Sequence, residues 1–458
     1  MTVIYGLLGL DILVIIHELG HFLVAKWCGV VVESFSVGMG PVLIHKTIRG
    51  TDFRLSLIPL GGYCGLKGQE DFQIALNEKA EQIKKEPGSF YSIHPLKRIL
   101  IAFAGPFFNF LFAVISCVII AMIGYSYYTT SNKIILASEI YPEIHSVAKE
   151  SGLKTGDRII AIDGKETPYF TDIYEIIAVN AQKELNFTVE RTNEKTGSTE
   201  TLELKIVPDL NKETGSGVIG ITSWTDTLID EVLEDSPASK AGLNAGDIIT
   251  KVDGIKVNNT AEYRKIVSEK ESFSISVLRD GKEIDIEKIE PTKDNKGNKL
   301  IGIVFHAQKI DAKTYSFFPA IWQGTKEAVK NIQLTFKGIA MLFKGIDVTK
   351  AVSGPLRITV MLGDSAKDGF SAGFKEGVVT VLQFLSVISI SLFIMNLLPI
   401  PILDGGLIVF ALIEAIFKKG ISPKIQYYIQ FVGIAILLIL FAVALFGDVS
   451  FLIDKFKH

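Results

Sequence analysis

Four mostly apolar runs, roughly residues 3–27, 98–124, 377–400 and 425–446, set the tightest limit on this chain. A helix of about 20 mostly apolar residues is what crosses the hydrocarbon core of a bilayer. Backbone groups in that layer have no water to bond, so each run is expected to be a helix. Apolar residues make up 48% of the 458-residue chain, and their clustering in these runs predicts a polytopic α-helical membrane protein. The first run follows the N-terminus with no basic stretch before it and no small-residue cleavage site after it. It is read as a retained first span, not a removable leader. The formal charge of −3 gives no basic surface for a nucleic acid. The three cysteines, Cys28, Cys64 and Cys117, form neither a disulfide framework nor a Cys-x-x-Cys metal site.

About 250 residues separate the second and third runs, and they alternate short β-type runs with turns. An even number of spans with the insert after the second puts both termini and the insert on one side of the membrane. Loop 28–97, with Lys46, Arg49, Arg54 and Lys67, and loop 401–424, with Lys418, Lys419 and Lys424, are basic. The positive-inside rule makes both cytoplasmic and leaves the insert outside.

The insert repeats itself. Gly152-Leu153, Gly156-Asp157, Ile159 and Asp163-Gly164 recur 90 positions later (152 to 242) as Gly242-Leu243, Gly246-Asp247, Ile249 and Asp253-Gly254. An alternating strand running into an Asp-Gly turn is hairpin grammar. A second pair, Ile219-Gly220-Ile221 and Ile301-Gly302-Ile303, stands at the end of each copy. The pattern resembles bacterial PDZ domains, in which such a Gly-hydrophobic strand borders a peptide groove. Its place at the end of each copy implies two tandem, β-rich, circularly permuted PDZ domains, at 132–221 and 222–307. They divide a membrane part at 1–131 from a connector at 308–376 and a second membrane part at 377–458. In the connector, residues 316–345 have helical periodicity, with Phe317, Ile321, Ala328, Ile332 and Phe336 apolar.

The chemistry is concentrated in the first span, in His17-Glu18-Leu19-Gly20-His21. Residues i and i+4 share a helix face, so both imidazoles can reach one zinc ion, with Glu18 beside them as general base. A charged side chain at mid-membrane costs about 2.5–3.5 kcal/mol, which marks such residues as functional. The alternative for the pair is two histidines hydrogen-bonded between helices. A catalytic zinc needs a third protein ligand and an open position. Asp404 is chosen for that ligand, from Asn396-Leu397-Leu398-Pro399-Ile400-Pro401-Ile402-Leu403-Asp404-Gly405-Gly406. Pro399 and Pro401 cannot both sit in an unbroken helix, so the third span opens there, and irregular backbone at that depth must line a cavity. A half-helix resumes over 407–417, and an N-cap role for Asp404 is the other reading. Asp11, Asp364 and Asp448 compete less well by position. The other histidines, His45, His94, His145, His306 and His458, have no ligand spacing.

These motifs, with Gly105-Pro106-x-x-Asn109 in the second span, resemble the site-2 protease family of intramembrane zinc metalloproteases. Two PDZ domains between spans two and three resemble its regulator of sigma-E protease (RseP-like) branch. The resemblance implies Zn2+ held by His17, His21 and Asp404, with Glu18 as general base. It further implies that Asn396 and Asn109 position the substrate backbone. The segment around Gly38 and Gly40 looks like the family's membrane re-entrant β-hairpin, whose edge would pair with an unwound substrate strand. The partners it implies are membrane lipid and single-pass membrane proteins: an anti-sigma factor already trimmed by another protease in a sigma-E stress response, or remnant signal peptides. The location it implies is a bacterial inner membrane, with the PDZ domains periplasmic and the active site toward the cytoplasm. One departure is Arg357, which stands in Ser353-Gly354-Pro355-Leu356-Arg357-Ile358 where the family has glycine. Rival readings of the residues are a membrane-anchored PDZ scaffold with a vestigial HELGH, a protease acting on soluble peptides, and a transporter with a broken helix.

Overall fold

The computed structural model describes residues 2–80, 83, 85–193, 196–293, 297–342 and 353–457. These residues form two compact units, one built from the chain up to Tyr125 with 312–340 and 353–453, the other chiefly from Ser126–Asp311.

The first unit is a membrane domain. Its helices are α1 (Thr2–Cys28), α2 (Pro95–Ile123), α3 (Phe317–Leu342), α4 (Pro355–Ala372), α5 (Phe374–Asn396), α6 (Asp404–Phe417) and α7 (Pro423–Lys457). Four of them, α1, α2, α5 and α7, are long and apolar enough to cross a membrane. Helix α2 begins as its sequence dictates, with the His94 ring accepting from the Leu96 N–H and Pro95 in the first turn, and it stops at Gly124, whose φ is +70°. Helix α5 ends at Asn396, and after the two-proline turn the chain re-enters helix at Asp404 itself.

Glycines let these helices approach closely. A Cβ on Gly6 would meet the Thr359 carbonyl at 2.0 Å, and one on Gly20 would meet the Ala104 carbonyl at 2.4 Å. Leu13, Leu362 and Leu385 join α1, α4 and α5 in one buried cluster. The connector expected over 308–376 is therefore, from Pro355 to Ala372, an integral part of the membrane domain, while its stretch 343–352 lies outside the described residues. Arg357 sits within helical backbone in α4, with its guanidinium over the Phe451 ring at 4.9 Å. Asp448 of α7 accepts from the backbone N–H of Gly354 at 2.8 Å and of Leu356 at 2.9 Å, so it caps the first turn of α4. The helical periodicity seen at 316–345 is present in α3, but its buried face is made of Ala320 and Ala328, with Gly324 against the backbone of Val118. The aromatic positions Phe317 and Phe336 are exposed instead, because small residues are what allow α3 to approach α2.

Between α1 and α2 lie two long strands, β1 (Val32–Ile48) and β2 (Thr51–Leu66), paired antiparallel with several irregularities. Thr47 faces Asp52 near the turn, while Ser36 faces Tyr63 at the far end. The hairpin's Leu43, Ile44, Leu57 and Ile58 are exposed.

The second unit contains one small fold twice. Strands Arg158–Ile162, Leu185–Thr192 and Thr199–Ile206 with helix Phe170–Ala178 correspond to Ile248–Val252, Phe273–Arg279 and Lys282–Ile289 with helix Thr260–Glu269. The two four-stranded sheets have the same strand order. In each copy a first strand pairs with a last one, Ile134–Leu136 with Ile221–Ser223 and Ile229–Val232 with Ile303–Phe305. The Asp-Gly turns have positive φ at both residues, 48° and 74° at Asp163-Gly164 and 48° and 73° at Asp253-Gly254, as a type I′ hairpin turn requires. Asp157 is held by Arg191 and Asp247 by Arg279, the same ion pair in each copy. Each copy encloses its own core, around Phe187 in the first and around Phe273 and Val277 in the second.

Candidate metal centre

Helix α1 places His17 and His21 one turn apart, and their Nε2 atoms lie 3.2 Å from each other. Asp404, the first residue of α6, brings Oδ2 to 3.1 Å from His17 Nε2 and Oδ1 to 3.3 Å from His21 Nε2. Four-coordinate zinc with bonds of about 2.0–2.1 Å keeps its ligand atoms about 3.3 Å apart. The two histidine nitrogens stand near that separation from each other, and each stands near it from one of the two Asp404 oxygens. They are also the one His/Cys/Asp/Glu group among the described residues whose ligand atoms converge in this way, within 4.8 Å.

The shell behind the donors fits a metal too. His21 Nδ1 lies 2.8 Å from the carbonyl oxygen of Ile101. That carbonyl accepts only, so Nδ1 carries the ring proton and Nε2 keeps its lone pair for the ion. Gly105 lies directly behind both rings: a Cβ there would stand 2.3 Å from His21 Nε2 and 2.8 Å from His17 Nε2. The cis-acting reason for Gly105-Pro106 is thus visible in the packing of α2 against α1, since only a residue without a side chain fits.

A cavity of about 490 Å³ opens on the donors, lined by Glu18, Tyr63, Cys64, Asn396, Leu403 and Asp404 among others. Glu18 projects into it, with the backbone amide of Cys64 in β2 lying against its carboxylate. Asn396 reaches the cavity from the last turn of α5.

Asn109, Gly38 and Gly40 stand apart from the cavity lining, and the alternative reading of Asp404 as an N-cap is not met. Asn109, expected at the substrate, is fully buried, and its side chain instead meets His17 Nδ1 at 3.1 Å. Gly38 and Gly40 of β1 do not line the cavity; the hairpin contributes Tyr63, Cys64 and Leu66 of β2. At Gly38 the constraint is a positive φ of 83° and an Ile58 carbonyl at 2.8 Å from any added Cβ, which is a folding requirement. Asp404 does not cap α6 from outside, because Leu403 holds the N-cap position. The residues that sequence reasoning passed over are those of β2, and Gly61-Gly62 just before Tyr63 was the signal that the chain approaches something closely. A Cβ on Gly62 would come within 2.7 Å of the Ser36 carbonyl and within 3.8 Å of Glu18.

The sequence profile of Peptidase family M50 matches residues 5–440. A Treponema pallidum (strain Nichols) protein carrying the name of a zinc metalloprotease is 41% identical over 454 residues, covering 99% of each chain. The regulator of sigma E protease of Haemophilus influenzae is 31% identical over 453 residues, 96% of this chain and 97% of that one. Among solved structures, the PDZ domain of an SdrC-like protein from Listeria innocua matches 18% of this chain and 96% of its own at 30% identity, with a TM-score of 0.17. The profile spans nearly the whole chain and the relatives align end to end, so this protein belongs to peptidase family M50 and is a zinc metalloprotease.

Proposed function

We propose that this protein cleaves transmembrane segments of single-pass membrane proteins within the bilayer. The observation that carries the reading is the position of the donor set on α1, a helix of membrane-crossing length and composition. In this reading His17, His21 and Asp404 hold the ion. Zinc supplies acidification of a water molecule and polarisation of the scissile carbonyl. Glu18 accepts the proton of the attacking water and returns it to the leaving amine.

A helical substrate hides its carbonyls in i→i−4 bonds and must unwind locally before it is cut. The exposed strand would be held along the 63–66 edge of β2, in the manner of strand addition, with the Asn396 amide bonding its backbone. We assign the substrates to the class the family resemblance implies: an anti-sigma factor already trimmed by another protease, and remnant signal peptides. The chain would lie in a bacterial inner membrane with the repeat domains on the periplasmic side and the metal centre toward the cytoplasm. The repeat domains would select substrates by size or by docking a freshly made C-terminus. An 820 Å³ groove in the second copy, bordered by Tyr263, Val267, Gly302 and Ile303, favours docking.

The test is co-expression with a tagged single-pass substrate stripped of most of its ectodomain, comparing the wild type with Glu18→Gln. A shorter fragment made only by the wild type is the expected result. No fragment from any of several such substrates, together with purified protein that retains no zinc, would leave a membrane-anchored scaffold in its place.

A further inference from the structure

We infer that Asn109 is a positioning residue for the metal: its side-chain oxygen fixes the tautomer of His17, so that His17 Nε2 can bind zinc. The inference rests on the ligand reading of His17 given above.

His17 and His21 are held differently at the nitrogen that faces away from the other donors. For His21 that nitrogen meets a backbone carbonyl, which settles where the proton lies. For His17 it meets, among the described residues, the Asn109 amide, with Nδ2 at 3.1 Å from Nδ1. An amide NH2 donates and cannot accept. In that orientation His17 Nδ1 must be the acceptor, and its proton sits on Nε2, pointing at the Asp404 carboxylate 3.1 Å away. A protonated Nε2 has no lone pair to give a metal.

The ligand role of His17 decides between the two orientations of the amide, because the far end of the Asn109 side chain is buried without a hydrogen-bond partner among the described residues, whichever atom occupies it. The oxygen and nitrogen of an amide are interchangeable in shape, and their assignment follows the network around them. Turning the amide over exchanges the two atoms. Oδ1 then accepts the His17 Nδ1 proton, the Nε2 lone pair is released toward the ion, and both histidines acquire the same arrangement, N–H to oxygen on one side and lone pair to metal on the other.

The surroundings hold the side chain to that task. Asn109 is fully buried, and its backbone carbonyl accepts from Ser389 Oγ of α5 at 2.8 Å. It lies one helical turn beyond Gly105, whose missing side chain brings α2 against the histidines. The spacing from Gly105 to Asn109 thus joins one residue that permits the approach to another that uses it.

The experiment is a zinc titration of the purified full-length protein in detergent against a chromophoric chelator, with Asn109→Asp, Asn109→Leu and His17→Ala beside the wild type. Aspartate keeps an oxygen acceptor at the same place, while leucine keeps the volume and removes both polar atoms. Loss of an outer-shell partner of this kind weakens metal binding about 10- to 100-fold. Asn109→Leu is expected to show that loss at an unchanged unfolding midpoint, and Asn109→Asp to bind like the wild type. Wild-type affinity in Asn109→Leu, or a loss in Asn109→Asp, would overturn the inference. If the leucine variant does not fold, Asn109→Ala takes its place and is expected to show the same loss. If His17→Ala also binds zinc like the wild type, the ligand reading fails; if His17→Ala alone loses zinc, only the role of Asn109 fails.

Discussion

Gly105 of α2 lies so close to His21 of α1 that a single added methyl group would stand 2.3 Å from Nε2, the ring nitrogen that faces Asp404. The contact is to two rings at once, since His17 Nε2 would be only 2.8 Å away. Gly105→Ala must therefore displace a ligand or part the helices. Misplacing reacting groups by about 1 Å costs on the order of 100-fold in rate, and that is the expected loss of proteolysis. Zinc retained after dialysis against a chelator should fall in parallel, and a variant with full zinc and full activity would contradict the packing described.

Glu18 is assigned to proton transfer and not to metal binding. Glu18→Gln keeps its shape and leaves the three donors untouched. Proteolysis should drop by about 10²–10⁴-fold, the usual contribution of a general base. Zinc content by atomic absorption should equal that of the wild type. Loss of the metal in this variant would move Glu18 into the ligand set.

A buried ion pair ties α6 to α2, through Arg98 at the start of α2 and Glu414 ten residues beyond Asp404. Both groups are largely shielded, so removing one leaves the other as an uncompensated charge, at a cost of about 3–5 kcal/mol. Arg98→Ala should lower the unfolding midpoint in detergent sharply. The double variant Arg98→Met with Glu414→Leu should recover much of the loss. Because α6 carries Asp404 in its first turn, zinc affinity in Arg98→Ala should weaken as well.

The repeat domains respond to acid through a group outside the membrane. Burial pushes the Asp247 carboxyl up, but the Arg279 guanidinium and the backbone N–H of Asn244 together outweigh it and hold the carboxyl below its ordinary value. A carboxyl with a depressed pKa in the folded state binds fewer protons there than in the unfolded chain. Its stabilisation is complete above the unfolded value of about 3.9 and is lost as pH falls toward the lower folded value. Hydrogen exchange over 248–289 in the full-length protein should accelerate as pH drops below about 4, after correction for intrinsic rates. Asp247→Asn should flatten that dependence.

The helices of membrane-crossing length and the convergence of His17, His21 and Asp404 were legible in the sequence because each depends on a local rule. His17 and His21 are one turn apart in any helix, and two prolines flanking Ile400 must break the third span wherever it packs. The Asp-Gly turns at 163–164 and 253–254 announced their hairpins by the same kind of rule. What the sequence did not disclose depends on contacts between distant segments. The Arg98–Glu414 pair joins residues 316 positions apart, with nothing in either neighbourhood to announce the other. Helix α4 has a mixed composition that reads as a connector, and the glycines at 6 and 9 on α1 help make room for it. Asn109 carries a polar group in an apolar span, which marks it as functional without saying that its partner is an imidazole. Gly38 and Gly40 stood out for their glycines, and both have positive φ in the hairpin, while Tyr63 and Cys64, which line the cavity, carry no local signal of their own.

Whether the cut falls inside the membrane is decided by mapping the cut. The purified protein would be reconstituted in lipid vesicles with a single-pass substrate, and the product ends read by mass spectrometry for the wild type and Glu18→Gln. New termini within the substrate's apolar span, formed by the wild type alone, are the expected result. Termini confined to the water-exposed flanks, or the same termini with Glu18→Gln, would contradict an intramembrane zinc protease acting through this site.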